Sequence, residues 1–185
     1  MICLDTYRVP VTTLFSENYA NLSSAWSGHL PLDWSFDWDE IRRRSSEECQ
    51  GIAKLSLDNQ CLGLVRFGLY YYPGIPTFLE IEQLESHPIS RGRLDERLAK
   101  PVGQWLIWYA IQTALKYCKP SEEKSFVILN AYEDALEYYR DKIGMELVDS
   151  VFLGPDEEGY AFRFSLSEAK AFCKGVERKY GVPIM

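Results

Sequence analysis

The chain has 185 residues, 46% hydrophobic and 25% charged, which suits one globular core and excludes disordered, collagen-like and low-complexity classes. Lys and Arg number 20 against 27 Asp and Glu, a net charge of -7, so phosphate-backbone binding is not the main activity and no nucleic-acid partner is expected. No run approaches the roughly 20 apolar residues that cross a bilayer, so no membrane partner is expected either.

The first residues, MICLDTYRVP, carry an acid where a secretory leader is basic, so no leader is expected. Cys3, Cys49, Cys61, Cys118 and Cys173 form no CxxC pair and are odd in number, which predicts free thiols and a cytoplasmic location. The two histidines, His29 and His87, sit in neither an HExxH spacing nor a cysteine cluster, so no metal site is expected.

In chain order, residues 6–14 (TYRVPVTTL) read as a first strand, and Pro10 places it at an edge or makes it irregular. Ser16 caps a helix expected over 17–27, and GHLPLDWSFDW reads as an ordered loop. Asp37 caps a short polar helix over 38–48. From Gly51 the pattern turns to strands: GIAKLSL, CLGLVRFGLYYY and TFLEIEQLESH, with turns at Asp58-Asn59 and Pro73-Gly74, predict three consecutive antiparallel strands.

A basic stretch, PISRGRLDERLAKP, follows. Leu106, Ile107, Ala110, Ile111, Ala114, Leu115 and Cys118 then recur at helical spacing and predict an amphipathic helix over 103–118. FVILNA (126–131) reads as a buried strand, and YEDALEYYRDKIG as a helix with Gly144 as its C-cap. MELVDSVFLG and GYAFRFSL form a closing hairpin, and a last helix runs from a Ser167 cap to about Tyr180. The fold class is α/β (α+β): one domain with a central, mostly antiparallel mixed sheet of about seven strands flanked by helices, plus a C-terminal helix, with a parallel crossover between the fourth and fifth strands.

This order of elements, with FLEIEQLESHP, PVGQWL and NAYEDALEYYRDKIGM, resembles the GNAT superfamily of N-acetyltransferases over roughly residues 51–165. The most specific part is ALEYYRDKIGM (135–145), with Tyr139 in the family's tyrosine position and one more residue before Gly144 than the commonest spacing. The resemblance implies a single domain over 1–185, with 1–50 on the acceptor side, 51–166 as the acetyl-CoA-binding core and 167–185 as the C-terminal helix. It implies acetyl-CoA as co-substrate and an amine acceptor, either a small molecule or a protein amine, with a homodimer among the open assemblies. A catalytically silent CoA-binding or protein-interaction module is the alternative.

What the resemblance implies residue by residue has a physical basis. A strand that splays from its neighbour offers main-chain groups to an extended pantetheine arm, and Leu84, Glu85 and Ser86 would supply that ladder. A turn opening into a helix suits pyrophosphate, which places Val102, Gly103 and Gln104 against it. The family's glycine-rich turn is reduced here, with Pro101 in place of its middle glycine. Arg97 and Lys100 could compensate as charge-assisted donors, or belong to a solvated loop.

Acetyl transfer needs a base for an ammonium of pKa about 10 and a donor for a thiolate of about 8.5. Glu80 is the implied base, with Glu82 in reserve, and Tyr139 the implied acid. Solvated strand glutamates and a helix-packing tyrosine are the plain alternatives. Asn130 would bond the pantetheine. Trp26, Trp34, Phe36 and Trp38 either wall an acceptor pocket or anchor the core.

Overall fold

Runs rich in Val, Ile, Leu and Phe, broken by short polar segments, fold into strands, and the two long apolar-periodic runs fold into helices. The computed structural model describes residues 2–7, 34–46, 49–57, 60–70, 76–90, 101–119, 125–155 and 157–181. The elements are β1 (Ile2–Tyr7), α1 (Trp38–Arg44), β2 (Gln50–Leu57), β3 (Gln60–Gly68), β4 (Leu79–Ser86), a 3-10 turn (Pro88–Ser90) and α2 (Val102–Tyr117). There follow β5 (Val127–Tyr132), a 3-10 turn (Glu133–Ala135), a π-helical turn (Tyr138–Ile143), β6 (Glu146–Gly154), β7 (Glu157–Phe164) and α3 (Leu166–Tyr180). The strands form one mixed sheet in the order β1-β2-β3-β4-β5-β7-β6. β4 and β5 are parallel, while β1 with β2, β5 with β7 and β6 with β7 are antiparallel.

Several boundaries differ from the sequence reading, among them the end of β3, which stops at Gly68. β1 lies at Ile2–Tyr7 rather than 6–14, because its register, Ile2 with Leu57 through Tyr7 with Ile52, follows the length of β2; residues 8–14, like the helix expected over 17–27, lie outside the described residues. α1 starts as expected, with Asp37 accepting from the Glu40 N–H, but ends at Arg44, where Ser45 turns extended. α3 is capped by Ser165, not Ser167. Ser165 accepts from the Glu168 N–H and the Glu168 carboxylate accepts from the Ser165 N–H, a reciprocal pair that needs the three-residue spacing Ser167 lacks.

The chain divides into two compact units. The first comprises Met1–Phe67, Gln83–Leu106 and Pro183–Met185, and the second Gly68–Glu82 and Ile107–Val182, so β4 and α2 contribute to both. In the first, Trp38, Ile52 and Leu64 form a core on which Trp34, Phe36, Ile41 and Cys61 pack. Gly63 of β3 lets the first turn of α2 close on the sheet, since a Cβ there would lie 2.6 Å from Val102 Cγ1 and 2.9 Å from Leu106 Cδ1. In the second, Ile81, Leu129 and Phe162 are buried and occupy one row across β4, β5 and β7. Trp108 Nε1 of α2 donates to Glu177 of α3 at 2.8 Å.

Candidate active site

The expected residues fall into two groups. In the second unit, Glu80 on β4 pairs with Ile128 of β5 in a parallel ladder of three registered pairs, Leu79 with Val127 through Ile81 with Leu129. β5 runs on to Tyr132, and its other edge pairs with β7 along the whole strand. Asn130 is therefore the first β5 residue beyond the last pair with β4, and it is exposed.

Residues that pair across a sheet share a face, and successive residues alternate. Ile81, Leu129 and Phe162 thus share one face, while Glu80, Ile128 and Arg163 share the other. Tyr139 belongs to the first face. Its ring lies 5.6 Å from that of Phe162 and 5.2 Å from that of Tyr138, and the residue is buried. Glu80 and Tyr139 are carried on opposite faces of the β4–β5 ladder.

Their environments shift both groups. Burial first, and then the charge of Glu82, raise the pKa of the Glu80 carboxyl above the ordinary carboxylate range. Burial, followed by Tyr138 and Asp134, raises that of the Tyr139 phenol, so it stays protonated at neutral pH. Glu82, the reserve candidate, accepts a hydrogen bond from the Tyr70 hydroxyl.

Tyr139 lies in a turn, Tyr138–Ile143, that is π-helical rather than the expected α-helix, closed by Gly144 at φ 79°. The Gly144 N–H and, at 3.0 Å, the Met145 N–H both donate to the Tyr139 carbonyl. The extra residue noted in this stretch is taken up by the wider turn.

In the first unit, Leu84, Glu85 and Ser86 form the end of β4, and Val102, Gly103 and Gln104 the first turn of α2, directly after Pro101. Arg97 and Lys100 lie outside the described residues. Glu85 was expected to contribute backbone alone, yet its side chain accepts three hydrogen bonds. It is 4% exposed. Oε1 accepts from the Ser35 N–H at 2.6 Å, and Oε2 from the Phe36 N–H at 3.2 Å and the Trp38 indole N–H at 2.9 Å.

That carboxylate ties the 34–38 segment to β4. Trp38 and Phe36 lie in the core cluster, with ring centroids 6.0 Å apart, so of the two readings the anchoring one describes Trp38. Trp26 lies outside the described residues. His87 is buried, with its ring 5.5 Å from that of Trp34, and donates its backbone N–H to Leu62 O at 2.8 Å. No sequence pattern pointed to the Glu85 contacts, whose partners lie 47 to 50 residues away.

No family model and no curated protein matches the chain. Its structure is similar to an acyl-CoA N-acyltransferase from Pseudomonas aeruginosa, with a TM-score of 0.53 and 17% identity over 89% of this chain and 100% of that one. It is also similar to an acetyltransferase assigned to the GNAT family from Desulfovibrio desulfuricans (TM-score 0.53, 9% identity, 90% of this chain and 99% of that one). A third is a Bacillus subtilis acetyltransferase in complex with CoA (TM-score 0.50, 13% identity, 90% and 99%). At such identities the likeness speaks for architecture alone, and the architecture of this chain is the GNAT acetyltransferase fold.

Proposed function

We propose that the chain is an acetyl-CoA-dependent N-acetyltransferase that moves the acetyl group to an amine by direct attack on the thioester. The observation that carries this reading is the early end of the β4–β5 ladder. β5 has six registered pairs with β7 but three with β4. Parallel strands that stop pairing leave amides and carbonyls that an extended, amide-bearing pantetheine arm can take up. The CoA held by the Bacillus subtilis acetyltransferase of like fold supports this choice of cofactor.

Leu84, Glu85 and Ser86 are the proposed main-chain partners of the arm, with Asn130 as a side-chain partner. Val102, Gly103 and Gln104 offer the pyrophosphate the open N–H groups and positive dipole end of a 16-residue helix. Arg97 and Lys100 are its proposed cationic contacts.

The chemistry divides between the two faces. A thioester seated beyond the Ile81–Leu129 pair can be addressed from both sides. Glu80 takes the proton of the ammonium, and its raised proton affinity makes it a better base than a solvated glutamate. The amine then attacks the carbonyl, the C–S bond breaks as the sulfur takes the electron pair, and the second proton released from the nitrogen as the amide forms passes to the thiolate, giving the amide and free thiol. Tyr139 donates a hydrogen bond to that sulfur. Because the phenol's pKa is raised well above the roughly 8.5 of a thiol, complete transfer is uphill and its part is to stabilise developing charge.

The net charge of -7 favours a cationic amine as acceptor. The silent-module alternative draws on Pro101, which stands directly before α2 without an N–H to give.

Calorimetric titration with acetyl-CoA, followed by an amine acetylation assay, separates the two. Micromolar binding is expected, and silence at millimolar cofactor would sink the transferase reading. With binding established, Tyr139→Phe should lower kcat about ten- to a hundred-fold and leave acetyl-CoA affinity unchanged. Unaltered turnover would remove Tyr139 from the mechanism.

A further inference from the structure

We propose that Tyr70 is a positioning residue for Glu80, acting through Glu82 across the bare backbone of Gly68. The role of Glu80 as a base rests on the transferase reading above; the geometry does not. Gly68 closes β3. A Cβ at Gly68 would lie 2.6 Å from Tyr70 Cε2 and 2.7 Å from Glu82 Oε1, so the missing side chain is what lets phenol and carboxylate meet over the strand. The Tyr70 hydroxyl donates to Glu82 Oε1.

Glu82 follows Glu80 by two residues on β4, which puts both on one face, about 7 Å apart along the strand. An untethered glutamate there would sample several rotamers and spread its charge over them. The bond from Tyr70 narrows that range. The groups on the face of Glu80 are Glu82 on its own strand, the uncharged Ile128 and Asn130 of β5 and, one strand further, Arg163 of β7, which is ion-paired with Glu146 of β6; Tyr70, from the segment after β3, reaches this face through Glu82. Glu82 is the charge that bears on Glu80, so fixing Glu82 fixes the field in which Glu80 binds and releases its proton. Tyr70 is 38% exposed, so removing its hydroxyl leaves the core untouched.

Carboxyl-carbon NMR titration of Glu80 in the intact chain tests this without any substrate. Tyr70→Phe and Gly68→Ala should each move the Glu80 midpoint to lower pH, and Glu82→Gln should move it further. On the Glu82→Gln background, Tyr70→Phe should add nothing. In acetyl transfer, Tyr70→Phe should lower kcat about three- to ten-fold at neutral pH, shift the acid limb in the direction of the titration and leave the KM for acetyl-CoA unchanged.

A Glu80 midpoint unmoved in Tyr70→Phe, in a variant with wild-type near-ultraviolet circular dichroism, overturns the proposal. So does a shift that persists once Glu82 is glutamine. Should Gly68→Ala fail to fold, Tyr70→Phe decides alone. A chain that shows these shifts but acetylates no amine upholds the positioning geometry and refutes the transferase reading instead.

Discussion

Replacing Glu85 by alanine tests whether one buried carboxylate holds the 34–38 segment to β4. The side chain accepts three N–H donors at 2.6, 3.2 and 2.9 Å. Bonds to a charged acceptor contribute about 1.5–3 kcal/mol each, but burying the ion costs several kcal/mol and offsets much of that gain. The deletion therefore costs chiefly what it strands.

The indole N–H of Trp38, 1% exposed, loses its acceptor where water does not reach, at about 1–3 kcal/mol. Phe36 is half-buried and adds a smaller share, while the N–H of exposed Ser35 can turn to solvent. With the space left behind, Glu85→Ala should lose about 2–4 kcal/mol. Glu85→Gln keeps one accepting oxygen and should lose about 1–2 kcal/mol. At a slope of about 2 kcal/mol/M, urea unfolding followed by far-ultraviolet circular dichroism should show the alanine midpoint lower by about 1–2 M. An alanine variant within about 0.5 kcal/mol of wild type would refute the anchoring argument.

Ser165→Ala removes one half of the reciprocal cap on α3 and should cost about 1 kcal/mol, read as a lower thermal midpoint, whereas Ser167→Ala should be close to neutral. Gly144→Ala meets open space but must hold φ at +79°, so it should cost about 1 kcal/mol from backbone strain alone, measured by the same unfolding curves. Glu80 gives a pH signature of defined sign. Its folded pKa is raised above the ordinary value of 4.5, so the native state binds more protons in the window between the two, and stability falls as pH rises through it. Glu80→Gln should flatten that slope and be the more stable protein at neutral pH, and an unaltered profile would contradict the assigned shift.

What was legible in the sequence was local. The β-branched and aromatic runs gave β2 to β7 to within a residue or two at most ends, and Asp37, three residues before Glu40, marked the start of α1. The same rule applied to Ser165 and Glu168 would have placed the α3 cap, a signal present but assigned two residues late. The ladder positions of Glu80 and Asn130 followed from strand order. The partners of Glu85 did not, since three N–H groups almost fifty residues upstream leave no trace in any window of sequence. Nor did the Tyr70 and Glu82 contact, which depends on a glycine whose reason is steric and belongs to the folded backbone.

The stretch after β5 shows how a periodic pattern can name the right residues and the wrong helix. Tyr132, Leu136, Tyr139 and Ile143 repeat at three and four, which reads as one buried α-helical stripe. Tyr139 and Ile143 are indeed buried, but Tyr132 is 47% exposed. Tyr132 is the last residue of β5, so the apparent stripe runs across a strand end into a turn. In an α-helix the carbonyl of Tyr139 would be closed by the N–H of Ile143, four residues on. Here Gly144 and Met145 close it instead, and Gly144 pivots the chain into β6. An extra residue in an α-helix would rotate everything after it by about 100°. A π turn absorbs it within one loop of backbone, so Tyr139 keeps its ring on Phe162 while Met145 still enters the core. The insertion that blurred the family spacing in sequence thus leaves the tyrosine's packing intact, and the wide turn is the reason both statements hold.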